Sequence, residues 1–449
     1  MEERYREMIL IKKGTVVDPA DNVEQLADVL VGDGKILRIA QEIAEADLQA
    51  FCGGGAHCEV IDAAGCIVAP GLVDVHVHFR DPGFTHKEDI ETGAKAALRG
   101  GFTSVVLMAN TKPAVDSIDT LAYVMDKGKQ TDAKIYTCAT VTKGMAGKEL
   151  TDMDALVSGG AVGFTDDGIP IMDAGLLERA MTKAASLDVP VSLHEEDPAL
   201  IADNGINRGK ASEHYGIGGS PREAEISMIR RDLEIALRTG AVLNIQHIST
   251  KEGVELVRQA KRKAAAQGTG GIHAEATPHH FSLTQEAVIR HGALAKMNPP
   301  LREESDRQAI IEGLRDGTID IIATDHAPHS KEEKERPITK APSGIIGLET
   351  ALALGITNLV GERQLSMAQL IAAMAANPAK MYGLPAGTLA EGAAADIVIF
   401  DPDASQTVRD FASKSSNTPF AGQTLRGVVR YTIVDGRIVY RHESCLPAH

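Results

Sequence analysis

Short apolar segments alternate with longer amphipathic ones from about residue 70 to about residue 385, and this alternation restricts the fold more than any other feature. The apolar segments are 73–79, 103–109, 134–140, 161–166, 190–194, 241–247, 271–277 and 319–324. Their length and β-branched content suit buried strands. Between them lie stretches such as HKEDIETGAKAALRG, LLERAMTKAASLD, SPREAEISMIRRDLEIALRTG and KEGVELVRQAKRKAAAQ, which read as amphipathic helices. Eight βα units in one run predict an α/β protein built on a TIM (β/α)8 barrel. A doubly wound open sheet is the alternative, but no Gly-rich dinucleotide-binding loop follows the first strand.

The two ends of the chain read differently. From Met8 to Val68 the segments ILIKKGTVVD, ADVLVGDGKILRIA and EVIDAAGCIVAP alternate and are punctuated by Gly and Asp, with DLQAFCGGGAH as a loop among them. Past Pro385, GTLAEGAAADIVIFDPD and LRGVVRYTIVDGRIVYR are strand-like again. We expect residues 1–68 and 387–449 to build one small β-sandwich-like domain beside a barrel of residues 69–386.

The chemistry sits where the strands end. The first strand, VDVHVHFR, alternates so that His76, His78 and Arg80 share one face. Two imidazoles two residues apart can grip one metal ion, and a guanidinium beside them suits a substrate carboxylate. The other strands end in Asn110, Asp166-Asp167, His194, His247, His279-His280 and Asp325-His326. Barrel active sites form at the C-terminal ends of the strands, from residues on several of them. His76, His78, His194, His247, Asp167 and Asp325 are ligands enough for two divalent metals.

Composition narrows the partners. A net charge of -16 over 449 residues argues against nucleic acid. No stretch approaches the ~20 apolar residues of a membrane span. The charged start MEERYREMILIKKG lacks a signal-peptide core, so the expected location is cytoplasmic. Five cysteines at irregular spacing describe no disulfide framework, and Cys52, His57, Cys58 and Cys66 fit no closed zinc pattern; reduced thiols are the reading.

The motifs DVHVHFRDPG, ETGAKAALRGGFTSVVLMANTKP, GFTDDG, LNIQHIST, EATPHHFSLT, KMNPPLR, DGTIDIIATDHAPHSKEEK and APSGIIGLET, together with FASKSSNTPFAG, run through nearly the whole chain. They resemble the amidohydrolases, and within them the longer (class I) bacterial dihydroorotases. The resemblance implies reversible closure of N-carbamoyl-L-aspartate to L-dihydroorotate in pyrimidine biosynthesis. It implies two Zn2+ per chain, one held by His76, His78 and Asp325, the other by His194 and His247. Asp167 and a hydroxide would bridge them, where many amidohydrolases carry a carboxylated lysine. Asp325 would be the general acid and base for the zinc-bound hydroxide. Arg80, Asn110 and His329 would meet the substrate carboxylate, with His78 beside them. Asn298 and the backbone around Ser343-Gly344 would bind the ring amide groups. Candidate assemblies are a homodimer and a complex with aspartate transcarbamoylase.

The chain departs from the family pattern at Ala109, where proline is usual, at Glu195-Glu196 after His194, and in an apparent insertion around Cys52–Cys58. The charged run KEEKERPITK between Pro328 and Pro342 reads either as a solvated loop or as a mobile flap over the site. The rival readings are another cyclic amidohydrolase (a hydantoinase or allantoinase) and a dihydroorotase-like scaffold without activity. The full ligand set speaks against the second.

Overall fold

The structure is a computed structural model that describes residues 7–44, 48, 57–269 and 271–446. Cys52 and most of the DLQAFCGGGAH loop lie outside the described residues. Strands from both chain ends make one sheet. They are β1 (Glu7–Asp18), β2 (Val23–Gly32), β3 (Lys35–Ala40), β4 (His57–Asp62) and β5 (Ile67–Pro70) from the N-terminal side. The barrel supplies β6 (Leu72–Val77), β7 (Phe102–Leu107), β8 (Lys134–Thr137), β9 (Val191–Leu193), β10 (Leu243–Ile245), β11 (Ile272–Ala276) and β12 (Ile321–Ile322). The C-terminal side returns as β13 (Ile397–Thr407), β14 (Thr424–Val434) and β15 (Arg437–Arg441).

The sheet order is β15-β14-β13-β5-β1-β2-β3, with β4 also on β1, so the two ends of the chain are joined where β5 pairs β13. Alternating side chains from both ends, among them Ile11, Val29, Val31, Ile397, Ile399 and Ile433, bury one another in a core of their own. Lys134, at the start of β8, ties this domain to the barrel through Asp396 (2.8 Å) and Asp435 (2.7 Å).

The barrel strands fall into two parallel runs, β6-β7-β8 and β9-β10-β11-β12. Single residues complete the ring. Phe164 bridges Ala139 on one side and Val191 on the other, and His326 bridges Val77. The backbone of 163–165 bonds to both neighbours: Ala139 N to Gly163 O (3.0 Å), Phe164 N to Pro190 O (3.0 Å) and Ser192 N to Phe164 O (2.9 Å). The strand expected over 161–166 is thus present as a one-residue link. The strand expected over 73–79 ends at Val77, and that over 319–324 is confined to Ile321–Ile322. In each case the chain leaves the ladder to aim a polar residue into the barrel mouth.

Buried acids reinforce the ring. Asp74, wholly buried on β6, accepts from His76 N and Thr324 N (both 3.1 Å), and burial pushes its carboxyl up to about 6. Helix Ile90–Arg99 begins with Asp89 capping the Thr92 N–H. Its Gly93 lies flat on Phe79: a Cβ there would come within 2.4 Å of the ring. The stretch 413–417 crosses back to the barrel mouth, where Ser413 Oγ and Lys414 N donate to buried Glu88 and Ser415 Oγ donates to Lys87 O (2.7 Å). Among the described residues no helix is long and apolar enough to cross a membrane, and Cys66, Cys138 and Cys445 are free thiols.

Phe164 is fully buried and its main chain links both runs of the barrel. Phe164→Ala should lower unfolding free energy by about 3–5 kcal/mol, the range for emptying a large aromatic site. Denaturant unfolding at fixed metal content measures this, and a loss below about 1 kcal/mol would show that the buried ring is dispensable to the barrel.

Candidate active site

The ends of the barrel strands converge on Asp167. Its carboxylate lies 3.7 Å from His76 Nε2, 3.4 Å from His78 Nε2, 3.6 Å from His247 Nε2 and 3.8 Å from His194 Nδ1. Burial opposes the charge on Asp167, but His76 and His247 outweigh it and hold the carboxyl well below its usual range. Its neighbour turns the other way. Asp166 accepts from Val141 N (2.8 Å) and Thr142 N (3.2 Å) and fastens the loop that follows β8. Neither lies on a strand: the ladder stops at Phe164, and Asp167 stands in the turn that follows Asp166, which parts the two carboxylates.

Asp325 closes the opposite side, 2.9 Å from His78 Nε2 and 3.5 Å from His76 Nε2. Against burial, His78 and His76 lower its pKa far below the ordinary value. His76, His78 and Asp325 each bring a ligand atom within 4.8 Å of the others, as do His76, Asp167 and His247. His194 stands beside the second group, its Nδ1 3.1 Å from His247 Nε2.

The fit to a metal rests on one atom in particular. His76 Nε2 is buried, makes no hydrogen bond, and faces both carboxylates. A buried polar nitrogen without a partner is rare in native proteins, and a metal ion would satisfy it. The other ring nitrogen explains its orientation. His76 Nδ1 lies 2.9 Å from Glu275 Oε2, a fully buried acid on β11 that also accepts from Asn244 Nδ2 (2.5 Å). A histidine that gives Nδ1–H to a carboxylate presents Nε2 as a donor to metal. Asn110 does the same for His78, accepting at 3.0 Å from Nδ1, while its amide donates to Asp167 O (2.9 Å). Buried Ala109, where the family has proline, accepts from Val115 N (3.0 Å), so the loop carrying Asn110 is pinned without it.

A cavity of about 220 Å³ opens above these groups. It is lined by His78, Arg80, Asn110, Asp167, His194, His247, Asn298, Asp325, His329, Ser343 and Gly344, together with Gly168 and Ala327. His76 lies beneath it, fully buried. Arg80 donates from Nε to Pro328 O (3.3 Å), leaving the rest of its fork free. Asn298 meets His194 Nε2 at 3.3 Å, and its Oδ1 is buried without a partner. His329 gives Nε2–H to Ser343 O (2.8 Å), and burial together with Arg80 and Lys334 drives its pKa down to about 2. It is therefore a neutral ring at the cavity wall.

Glu275, Asn244 and Glu196 were not among the site residues read from sequence, although Glu196 was noted as a departure. Glu275 had a signal: an acid set between Ala274 and Ala276 in the short strand IHAEA. Glu196, at the departure after His194, is buried 3.3 Å from His194 Nε2 and held by Ser220 Oγ (3.0 Å). His280 and His326 stand outside the ligand groups. The first bonds Thr277 and Pro299 O (3.1 Å), the second Gly347 N (3.1 Å) and Glu88 (3.4 Å). Burial pushes His279 down to about 4.

Residues 67–439 match the model of the amidohydrolase family. Dihydroorotases are 55% identical over 96% of this chain and 100% of the relative in Clostridioides difficile (strain 630), and 48% identical over 96% and 99% in Lactococcus lactis subsp. lactis (strain IL1403). The chain belongs to the amidohydrolase family, on its dihydroorotase branch. In three dimensions this dihydroorotase relative is similar to the L-hydantoinase of Arthrobacter aurescens, with a TM-score of 0.83 at 28% identity over 98% of this chain and 97% of that one. Its fold is also that of dihydropyrimidinase from Brevibacillus agri, with a TM-score of 0.80 at 24% identity over 97% and 95%.

Glu275→Gln keeps the size of the side chain but removes the charge that holds His76 Nδ1–H. Metal affinity should fall by about 10–100-fold, the usual effect of losing such an outer partner. Competition against a chelator, read as metal bound per chain, checks this; an unchanged affinity would mean that Glu275 does not set the histidine.

Proposed function

We propose that the cavity at the barrel mouth interconverts L-dihydroorotate and N-carbamoyl-L-aspartate, the dihydroorotase reaction. The observation that carries this reading is the convergence on one 220 Å³ cavity of a free cationic fork, Arg80, and a buried set of histidines and aspartates. It is supported by dihydroorotase relatives at 48–55% identity, against 28% for the L-hydantoinase, the first rival reading.

The residues suit a metal, and we infer two zinc ions bridged by Asp167, with His76, His78 and Asp325 on one side and His194 and His247 on the other. Bound there, the metal would polarise the ring carbonyl and make water acidic enough to attack it. The protein's own groups do the rest. Arg80 anchors the substrate carboxylate with two parallel hydrogen bonds, which fixes the ring relative to Asp325. Asn298, with its unpartnered Oδ1, and the Ser343-Gly344 backbone take the ring amide groups. His329 contacts the substrate as a neutral ring, so the positive charge at that end is Arg80's. Asp325, ionised by His78 and His76, accepts the proton from the attacking water and returns it to the departing ring nitrogen. In the synthetic direction the same atoms move in reverse.

Arg80→Lys keeps the charge and loses the fork. KM for dihydroorotate should rise by about 10-fold or more, as for a lost charge-assisted hydrogen bond, with metal content unchanged. An unaltered KM would place the carboxylate elsewhere. Asp325→Asn preserves shape but cannot take a proton. Turnover should fall by at least ~10²-fold in both directions, with the equilibrium ratio unchanged. Turnover and bound metal must be measured on one sample: loss of activity only in step with lost metal would make Asp325 a ligand alone.

A further inference from the structure

Two lysines beside the cavity are buried without an acid. Lys334, on the helical turn Lys331–Lys334, and Lys296 are 6% and 5% exposed. Among the described residues neither ammonium has a carboxylate within ion-pair distance. Each is bonded to main-chain carbonyls instead. Lys334 Nζ donates to Pro342 O and Gly344 O (both 2.9 Å), and Lys296 Nζ to Ile338 O (2.9 Å) and Ala341 O (2.8 Å). Burying a charge with no counter-charge opposes folding, so an arrangement that does it twice calls for a compensating use.

The clamped carbonyls show what that use is. They belong to the segment 338–344, whose last two residues form a wall of the cavity. Gly344 O also accepts from Asn417 Nδ2 (3.1 Å), Gly344 N donates to Lys296 O (2.8 Å), and Ser343 O is taken by His329. Gly344 has φ +108°, and a Cβ there would come within 2.6 Å of Ala327. The wall is thus pressed tightly against the Asp325 loop. Most of the KEEKERPITK run is exposed, as a solvated loop would be, but its Lys334 is buried and latched inward.

We propose that Lys334 is a positioning residue for the substrate: its ammonium holds the Ser343-Gly344 wall in its binding shape and adds unneutralised positive charge beside an anionic ligand. This rests on the dihydroorotase reading, in which both substrates carry a carboxylate and the open-chain one carries two. The charged and titratable groups around Lys334 are Lys296, its neighbour Glu333, and His329, with Arg80 and Lys87 beyond. Glu333 is itself occupied by Lys87 (2.9 Å). Burial, then Lys296, bring the Lys334 ammonium down from its ordinary 10.5 to about 7. The latch therefore loosens as pH rises through neutrality. The sign for stability is the opposite of that for binding. A lysine with a depressed pKa destabilises the fold while it is charged, so its removal should not weaken the fold at pH 6.

The test is Lys334→Met, close in length and without charge, compared with wild type for KM and kcat in both directions, bound metal, and denaturant unfolding at about pH 6. The expected result is a KM for dihydroorotate raised by about 10-fold, as for a lost charge-assisted hydrogen bond, with kcat within a few-fold. KM for N-carbamoyl-L-aspartate should rise more, metal content should be unchanged, and stability should equal or exceed that of wild type. Wild-type KM should also climb as pH passes about 7, and the variant should lack that component. An unshifted KM, or a shift that tracks lost metal or lost stability, overturns the latch. If that variant does not fold, Lys334→Leu is read on the same measures, and an unshifted KM there overturns the proposal. A wild-type protein that turns over dihydroorotate while the latch test fails leaves the functional reading standing. One with no turnover at all overturns that reading instead.

Discussion

One carboxylate among four imidazoles organises this molecule. Asp167 lies within 3.4–3.8 Å of His76, His78, His194 and His247, which arrive from three different strands. Buried charges are costly unless paired or bound to metal, so the elements that carry these groups must stop at the same height. The barrel provides that. Parallel strands of similar tilt end on one face, and side chains just past their ends point into one space. The outer bonds then fix which nitrogen faces inward: Glu275 for His76 and Asn110 for His78.

Holding the groups there strains the backbone. Arg80, His247 and Asp325 have φ of +60°, +33° and +49°, a region that residues with a Cβ seldom occupy. Each such residue costs of the order of 1–3 kcal/mol. All three line the cavity. The surrounding ladder over-determines them: His78 N bonds to His326 O (2.9 Å), Ile248 N to Glu275 O (3.0 Å) and Ala327 N to Ile345 O (2.7 Å). The barrel is therefore more than a frame. It supplies the rigidity that keeps three unfavourable turns in place over a charged centre.

The mouth of the barrel is finished by chain that does not belong to the βα repeat. Asn417 donates to Ala327 O and Gly344 O (both 3.1 Å) and accepts from His329 N (3.0 Å), so a residue from the C-terminal stretch knits two cavity loops together. Glu88, bonded by Ser413 and Lys414 and 3.4 Å from His326, anchors that stretch to the loop after β6. Specific loop geometry here comes from buried polar bonds rather than from apolar packing.

The alternation of short apolar strands with amphipathic helices determined the barrel, because a strand buried on both faces and a helix with one apolar stripe can bury their surfaces together in few ways. The spacing of His76 and His78, and the polar residue after each strand, determined which side chains could meet, since period-two geometry and the common height of strand ends are local properties read along the chain. What only the tertiary structure decided is non-local. The partners of the site residues, Glu275 199 residues from His76 and Asn417 88 residues from His329, are brought close by the closed ring and by the returning C-terminal chain. The early end of β6, the one-residue strand at Phe164 and the inward turn of Lys334 likewise depend on what each segment meets across the barrel, and no periodicity in sequence records that.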